Sequence, residues 1–103
     1  MPETYTIEWA RVADAQYDRI LAEIWEFSPR YFLKLVRAVE NSLVPLHEWP
    51  RFYPQSQYKP ERQYRKIVVD GNYIILYRVL EKRRVVRIEY IFHGAMDIAS
   101  RIN

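Results

Sequence analysis

The chain has 103 residues, half of them hydrophobic and 16% aromatic, and its formal net charge of +3 is uneven: residues 1–50 hold five Lys/Arg and eight Asp/Glu, residues 51–103 eleven and five. That length sets a single domain, residues 1–103, with a small core, and that composition excludes disorder. Cysteine is absent and there are two histidines, His47 and His93; no disulfide framework, thiolate metal site or all-histidine zinc site follows, and no apolar run reaches the ~20 residues of a membrane span.

The first residues, MPETYTIEW, have neither the basic start nor the apolar stretch of a signal peptide, so a cytoplasmic protein is expected. Tyr5 to Trp9 alternates apolar and polar, as a half-buried strand does. Tyr17, Ile20, Leu21 and Ile24 then fall at helical spacing, with Asp14, Asp18, Arg19, Glu23 and Glu26 mostly off their stripe. Ser28-Pro29 reads as the N-cap and first residue of a second helix, whose stripe is Phe32, Val36, Val39 and Leu43. Pro45 ends it near Val44. Two helices with almost no loop between them predict an αα-hairpin.

Residues 45–60 carry four of the six prolines among Trp49, Phe52, Tyr53 and Tyr58. This predicts a rigid, extended connection pinned by its aromatics. A strand over Arg62–Val69 follows, with Gln63, Arg65, Ile67 and Val69 on one face and Arg62, Tyr64, Lys66 and Val68 on the other. Asp70-Gly71 is a hairpin turn signal. Tyr73–Leu80, apolar but for Arg78, reads as a central strand covered by helices on one side. Glu81-Lys82-Arg83 turns the chain into a last strand, Arg84–Phe92, and Ala95–Arg101 forms a short helix or tail. The order is β-α-α-β-β-β, an α+β two-layer domain with an antiparallel sheet on a helical hairpin and strand 1 at an edge. The basic second half suits an anionic partner, nucleic acid or an acidic protein segment; a solvated basic face is the plain alternative.

Several strings in this order are similar to those of the RelE/ParE toxin superfamily of type II toxin–antitoxin pairs. They are Tyr64-Arg65 entering the second strand, Tyr73-Ile74-Ile75-Leu76-Tyr77-Arg78-Val79 in the third, and His93-Gly94-Ala95-Met96-Asp97 after the last, where the superfamily usually has arginine in place of Met96. The resemblance implies a toxin held inactive by a cognate antitoxin in a hetero-oligomer, without cofactor or metal. It implies two targets. A RelE-like branch cuts mRNA on the ribosome, and a ParE-like, plasmid-stabilising branch poisons DNA gyrase. The cationic set of the first branch is largely missing here. Arg65 keeps a charge, but Ile67, Ile74, Ala95 and Arg101 stand where lysine, arginines and a tail tyrosine would be. The ParE-like branch is therefore favoured, with a ribonuclease as the alternative and a non-toxic interaction module of the same fold as a further one.

If the chain is a ribonuclease, His93 is the one candidate acid or base, with Arg65, Arg62 and Arg87 as phosphate partners on a shared face. The competing reading, which we favour, has His93 fixing the turn at Gly94; Arg65 and Arg78 equally suit structural ion pairs with Glu89 or Asp97. For the antitoxin, the candidate contacts are Trp25, Phe27 and Tyr31 at the hairpin tip and Arg83, Arg84 and Arg87 on the sheet. Core packing is the alternative for Trp25 and Phe27.

Overall fold

The computed structural model describes residues 4–94 and 98–102. Strand β1 (Thr6–Trp9) leads into α1 (Arg11–Phe27) and α2 (Pro29–Leu43), followed by β2 (Arg65–Val69), β3 (Tyr73–Leu80), β4 (Val85–His93) and a short α3 (Ile98–Arg101). Ser28 separates the first two helices, and its hydroxyl accepts from the Tyr31 N–H at 3.2 Å, the cap expected there. Pro45 closes α2, and Val44–His47 continue as a single 3₁₀ turn.

The four strands run in the order β1-β4-β3-β2. The last three are antiparallel, as expected, and β1 takes an edge; it pairs parallel to β4, so the sheet is mixed rather than antiparallel. The connection permits the parallel pairing, since the whole helical hairpin and two strands separate β1 from β4. Between Leu76 and Tyr77 the β3–β4 register shifts: Leu76 faces Tyr90 while Tyr77 faces Ile88. Glu89 is the extra residue, a bulge that redirects the second half of β4.

Two apolar layers result. Leu35, Val39 and Leu43 of α2 and Ala13 of α1 pack on Ile67, Val69, Tyr73, Ile75, Tyr77, Val86, Ile88 and Ile91. On the opposite face, Tyr64, Leu76, Tyr90 and Phe92 are sealed by Ile98 and Ile102 of the tail. The central strand is thus covered on both sides over Tyr73–Tyr77, where one covered side was expected. Leu35, off the expected α2 stripe, is fully buried.

The strand expected from Arg62 starts only at Arg65. Pro60–Arg62 form a 3₁₀ turn, and Lys59 and Gln63 on either side are left-handed, at φ 48° and 58°. The proline-rich segment lies along the free edge of β2 through Lys66 N–H to the Pro54 carbonyl (3.0 Å) and Ser56 N–H to the Tyr64 carbonyl (2.8 Å). Tyr53 and Tyr58 pin it inward, while Trp49 and Phe52 face solvent. The Asp70-Gly71 hairpin forms as expected, both residues at positive φ. Of the expected tail helix Ala95–Arg101, Ile98–Arg101 is helical and residues 95–97 lie outside the described residues.

Candidate functional site

A cleft of about 300 Å³ opens where the proline-rich segment crosses the far end of β2 and β3; it is lined by Arg51, Gln55, Arg62, Gln63, Arg65, Arg78, Val79 and Leu80. Each arginine arrives from a different element. Arg65 opens β2, bridged to Gln55, and Arg78 sits on β3. Arg62 rides the strained 3₁₀ turn, and Arg51 belongs to the proline-rich segment.

That segment is tied down at three points. The buried Tyr77 hydroxyl donates to the Pro50 carbonyl at 2.8 Å, the Tyr53 hydroxyl to the Ser42 carbonyl at 2.6 Å, and Arg65 Nη1 to the Tyr53 carbonyl at 2.7 Å. Burial pushes the Tyr77 hydroxyl up to about 12, so it stays a donor throughout the physiological range.

The charges in the cleft are unevenly compensated. Arg51 pairs with Glu81, which also accepts from the Tyr5 hydroxyl at 2.8 Å. The Tyr5 bond and then Arg51 hold the Glu81 carboxyl below its usual range. Arg78 Nε donates to Glu89 Oε2 at 3.0 Å. Arg87 Nε lies 2.8 Å from the other oxygen of the same carboxylate, but out of line for a hydrogen bond. Among the described residues neither Arg62 nor Arg65 reaches a carboxylate; Arg62 Nη1 donates to the Tyr64 hydroxyl at 3.2 Å. Four guanidinium groups and two glutamines therefore make an anion-binding surface. The lining holds arginines and glutamines but no histidine or carboxylate, so the cleft can hold a phosphate but offers no acid–base pair.

The expected cluster of His93 with Arg65, Arg62 and Arg87 does not assemble. His93 pairs with Tyr73 across β3, whereas Arg65 pairs with Tyr77. Four residues along the strand, at ~3.3 Å each, put about 13 Å between the two levels, with β3 in between. His93 instead lines a separate depression with Gln16, Arg19, Ile20, Glu23 and Arg101, its ring edge-on to Tyr73 at 5.3 Å. Arg62 and Arg65 line the arginine cleft with Arg78, whereas Arg87, on the far side of the Glu89 carboxylate from Arg78, and His93 are not part of its lining. The turn at Gly94 is held by the backbone, Gly94 N–H to the Asn72 carbonyl at 2.6 Å. Of the expected structural ion pairs, Arg78–Glu89 is present, Arg65 bonds carbonyls instead, and Asp97 lies outside the described residues.

At the hairpin tip, Phe27 is 88% exposed and Trp25 55%, so the core does not use them. Trp25 packs edge-on against Phe32 at 5.2 Å, and Leu33, also on the first turns of α2, is exposed as well. Tyr31 is committed to the fold: its hydroxyl donates to Asp70 Oδ2 at 2.6 Å, joining hairpin tip to the β2–β3 turn. Arg83 reaches Glu8 at 3.2 Å, and Arg84 is the left-handed residue ending the β3–β4 turn. Tip and turn lie at opposite ends of β3, about 25 Å apart at ~3.3 Å per residue. Reasoning from sequence missed Arg51, Gln55 and Leu33. A charged residue within a proline–aromatic segment was the available signal for Arg51; the pairing of Gln55 with β2 left none.

Among the described residues no three carboxylate or histidine side chains gather as a metal would need, and no helix is long and apolar enough to cross a membrane.

The family described as ParE toxin of type II toxin–antitoxin system, parDE, matches residues 7–98. No curated protein matches significantly. Among solved structures, a chain of the chromosomal ParDE system from P. aeruginosa superimposes with a TM-score of 0.69 at 19% identity, over 87% of this chain and 96% of that one. A chain of the toxin–antitoxin complex RelBE2 from Mycobacterium tuberculosis does so at 0.61 and 21% identity, over 93% and 98%. These likenesses establish the fold.

Proposed function

Because the chain belongs to the family of ParE toxins of type II toxin–antitoxin systems, we propose that it arrests growth in the cytoplasm by poisoning DNA gyrase through protein contact, and that a cognate antitoxin neutralises it. One observation carries the choice of target. The cationic cleft and the single candidate acid or base, His93, lie on different levels of the sheet, in separate depressions. Cutting RNA needs a proton acceptor, a proton donor and phosphate-binding cations around one phosphate. The test is a gyrase supercoiling assay with cleavage complexes scored on a gel. Accumulated cleavage complexes are expected, and no effect at micromolar toxin refutes the reading.

The ribosome-dependent nuclease remains the second reading because the arginine cleft suits RNA. Primer extension on translated mRNA distinguishes it, with cuts inside codons that vanish in His93→Ala. A non-toxic module would leave growth unchanged when expressed without antitoxin.

The antitoxin's footprint follows from the placement of its candidate contacts. A segment touching both Trp25 and Phe27 at the tip and Arg83 and Arg84 at the β3–β4 turn has to run the length of the sheet. An extended or helical tail that folds on binding meets that demand, apolar where it crosses the tip and acidic where it reaches the arginines. The two superimposed structures come from toxin–antitoxin systems, which supports such a partner.

A further inference from the structure

Next to the arginine cleft, and sharing Arg51 with it, lies a shallow depression formed by Glu48, Trp49, Pro50, Arg51 and Phe52. Trp49 is 61% exposed and Phe52 59%, two large aromatic side chains facing solvent on a segment anchored by Tyr77 and Tyr53. We propose that cleft and depression together form a binding site for single-stranded nucleic acid, in which Arg51, Arg62, Arg65 and Arg78 take the phosphodiester backbone and Trp49 and Phe52 stack on its bases.

Three features carry this. First, the cleft keeps uncompensated charge: Arg62 and Arg65 meet no carboxylate among the described residues, and each engages one Nη1 only, leaving the rest of its fork free for a phosphate. Second, the site is built rather than incidental. The turn that presents Arg62 is held between two left-handed non-glycine residues, Lys59 and Gln63, a backbone cost that persists where the surroundings enforce it. Arg65 is fixed by the carbonyl of Tyr53, the residue following Phe52. Third, the neighbours of the arginines select among anions. An acidic peptide would satisfy the guanidinium groups but would leave two exposed rings, Trp49 and Phe52, without a stacking partner. A nucleic-acid strand uses both, charge along its backbone and stacking for its bases. A duplex keeps its bases stacked on one another, which leaves the single strand. Under the gyrase reading this site is additional to the target contact, whereas under the ribosome reading Arg62 and Arg65 would hold the mRNA; binding is measured in the absence of either target.

The test is fluorescence anisotropy with the full chain and a labelled oligothymidylate of about twelve nucleotides, within the span such sites cover. Its competitors are inorganic polyphosphate and polyglutamate of equal charge. Binding is expected to weaken with salt, with a log–log slope of about 0.7 per phosphate neutralised, and Arg62→Gln and Arg51→Gln each lower that slope by about 0.7. Trp49→Ala with Phe52→Ala weakens oligonucleotide binding about tenfold while leaving polyphosphate binding and the slope unchanged. Both side chains are exposed, so this variant keeps its fold, verified by an unchanged melting temperature. Polyglutamate displacing the strand at equal charge would assign the cleft to an acidic protein segment. Indifference to the aromatic substitutions, or no binding at low salt, would equally overturn the proposal.

Discussion

Replacing Tyr77 by Phe removes one oxygen atom and tests how the cleft is held. Tyr77 is fully buried, and its hydroxyl donates to the Pro50 carbonyl at 2.8 Å. Phenylalanine keeps the ring and its edge-on contact with Tyr53 at 6.4 Å. What is lost is the donor to a carbonyl on a buried residue, and leaving such an acceptor unpaired costs about 1.5 kcal/mol. For a domain of about 100 residues that lowers the melting temperature by roughly 6–12 °C. The pH dependence gives an independent signature. Burial raises the Tyr77 hydroxyl from 10.0 to about 12, so the folded state favours the neutral phenol. Its contribution is therefore fully present below pH 10 and is lost as the pH climbs through the window from 10 to about 12. Burial also raises Tyr17 to about 12, and Tyr17 remains in the variant, so the variant retains a shallower alkaline loss. Thermal melts followed by circular dichroism, at neutral pH and across that alkaline window, read both effects. A melting temperature equal to that of the unaltered chain refutes the assignment of this bond as an anchor, and an equally steep alkaline loss refutes the burial-raised Tyr77 hydroxyl as its source.

Glu89→Gln takes away the carboxylate, 14% exposed, that lies between Arg78 and Arg87, which face each other across β3 and β4. The two cations then oppose one another, and the urea midpoint should fall by an amount worth about 2 kcal/mol, less than a fully buried pair because both arginines are partly solvated; an unchanged midpoint would show that the clasp contributes nothing. Phe27→Ser should leave stability within ~0.5 kcal/mol, since the ring touches little, yet weaken the antitoxin complex about tenfold by titration calorimetry. Equal affinity would remove the hairpin tip from the antitoxin footprint. Gly94→Ala would place a Cβ 3.1 Å from the Asn72 carbonyl oxygen, which already accepts the Gly94 N–H at 2.6 Å. A loss of about 1 kcal/mol in chemical denaturation is expected, and no loss would mean that the β2–β3 turn yields freely.

Local chemistry made much of the fold readable. Ser28-Pro29 and Pro45 bound α2 because capping and a missing N–H act within a few residues, and Asp70-Gly71 marks its hairpin because so few residue types accept positive φ. The errors lie where one residue shifts a pattern. A strand beginning at Arg62 satisfied the alternation, but Pro60 and the left-handed Gln63 spend those residues on a turn. The bulge at Glu89 changes which side of β4 each later residue faces, and no composition rule marks it. Simple alternation along uninterrupted strands puts His93, Arg65 and Arg87 on one face; the bulge moves Arg87 to the other, while His93 and Arg65 keep a common face and are separated by four residues along the sheet. The two core layers were half legible, because Tyr64, Tyr90 and Phe92 look amphipathic until the tail residues Ile98 and Ile102 cover them.

The proline-rich segment shows how edge protection and site construction are the same event. β2 is an outer strand, and an uncovered outer strand invites pairing with another chain. Here the edge is met by the Pro54 carbonyl and the Ser56 N–H, while Pro50 and Pro54 offer no N–H of their own. The segment can therefore accept from β2 and from Tyr77 but is a poor template for a further strand. Its path along that edge also carries Arg51 and Gln55 over Arg65, and sets Trp49 and Phe52 beside them. A segment rich in glycine and serine would span the same distance without fixing that path. Four prolines and two inward-pointing tyrosines hold it to one course, which is what lets partly exposed arginines from separate elements act as a single surface.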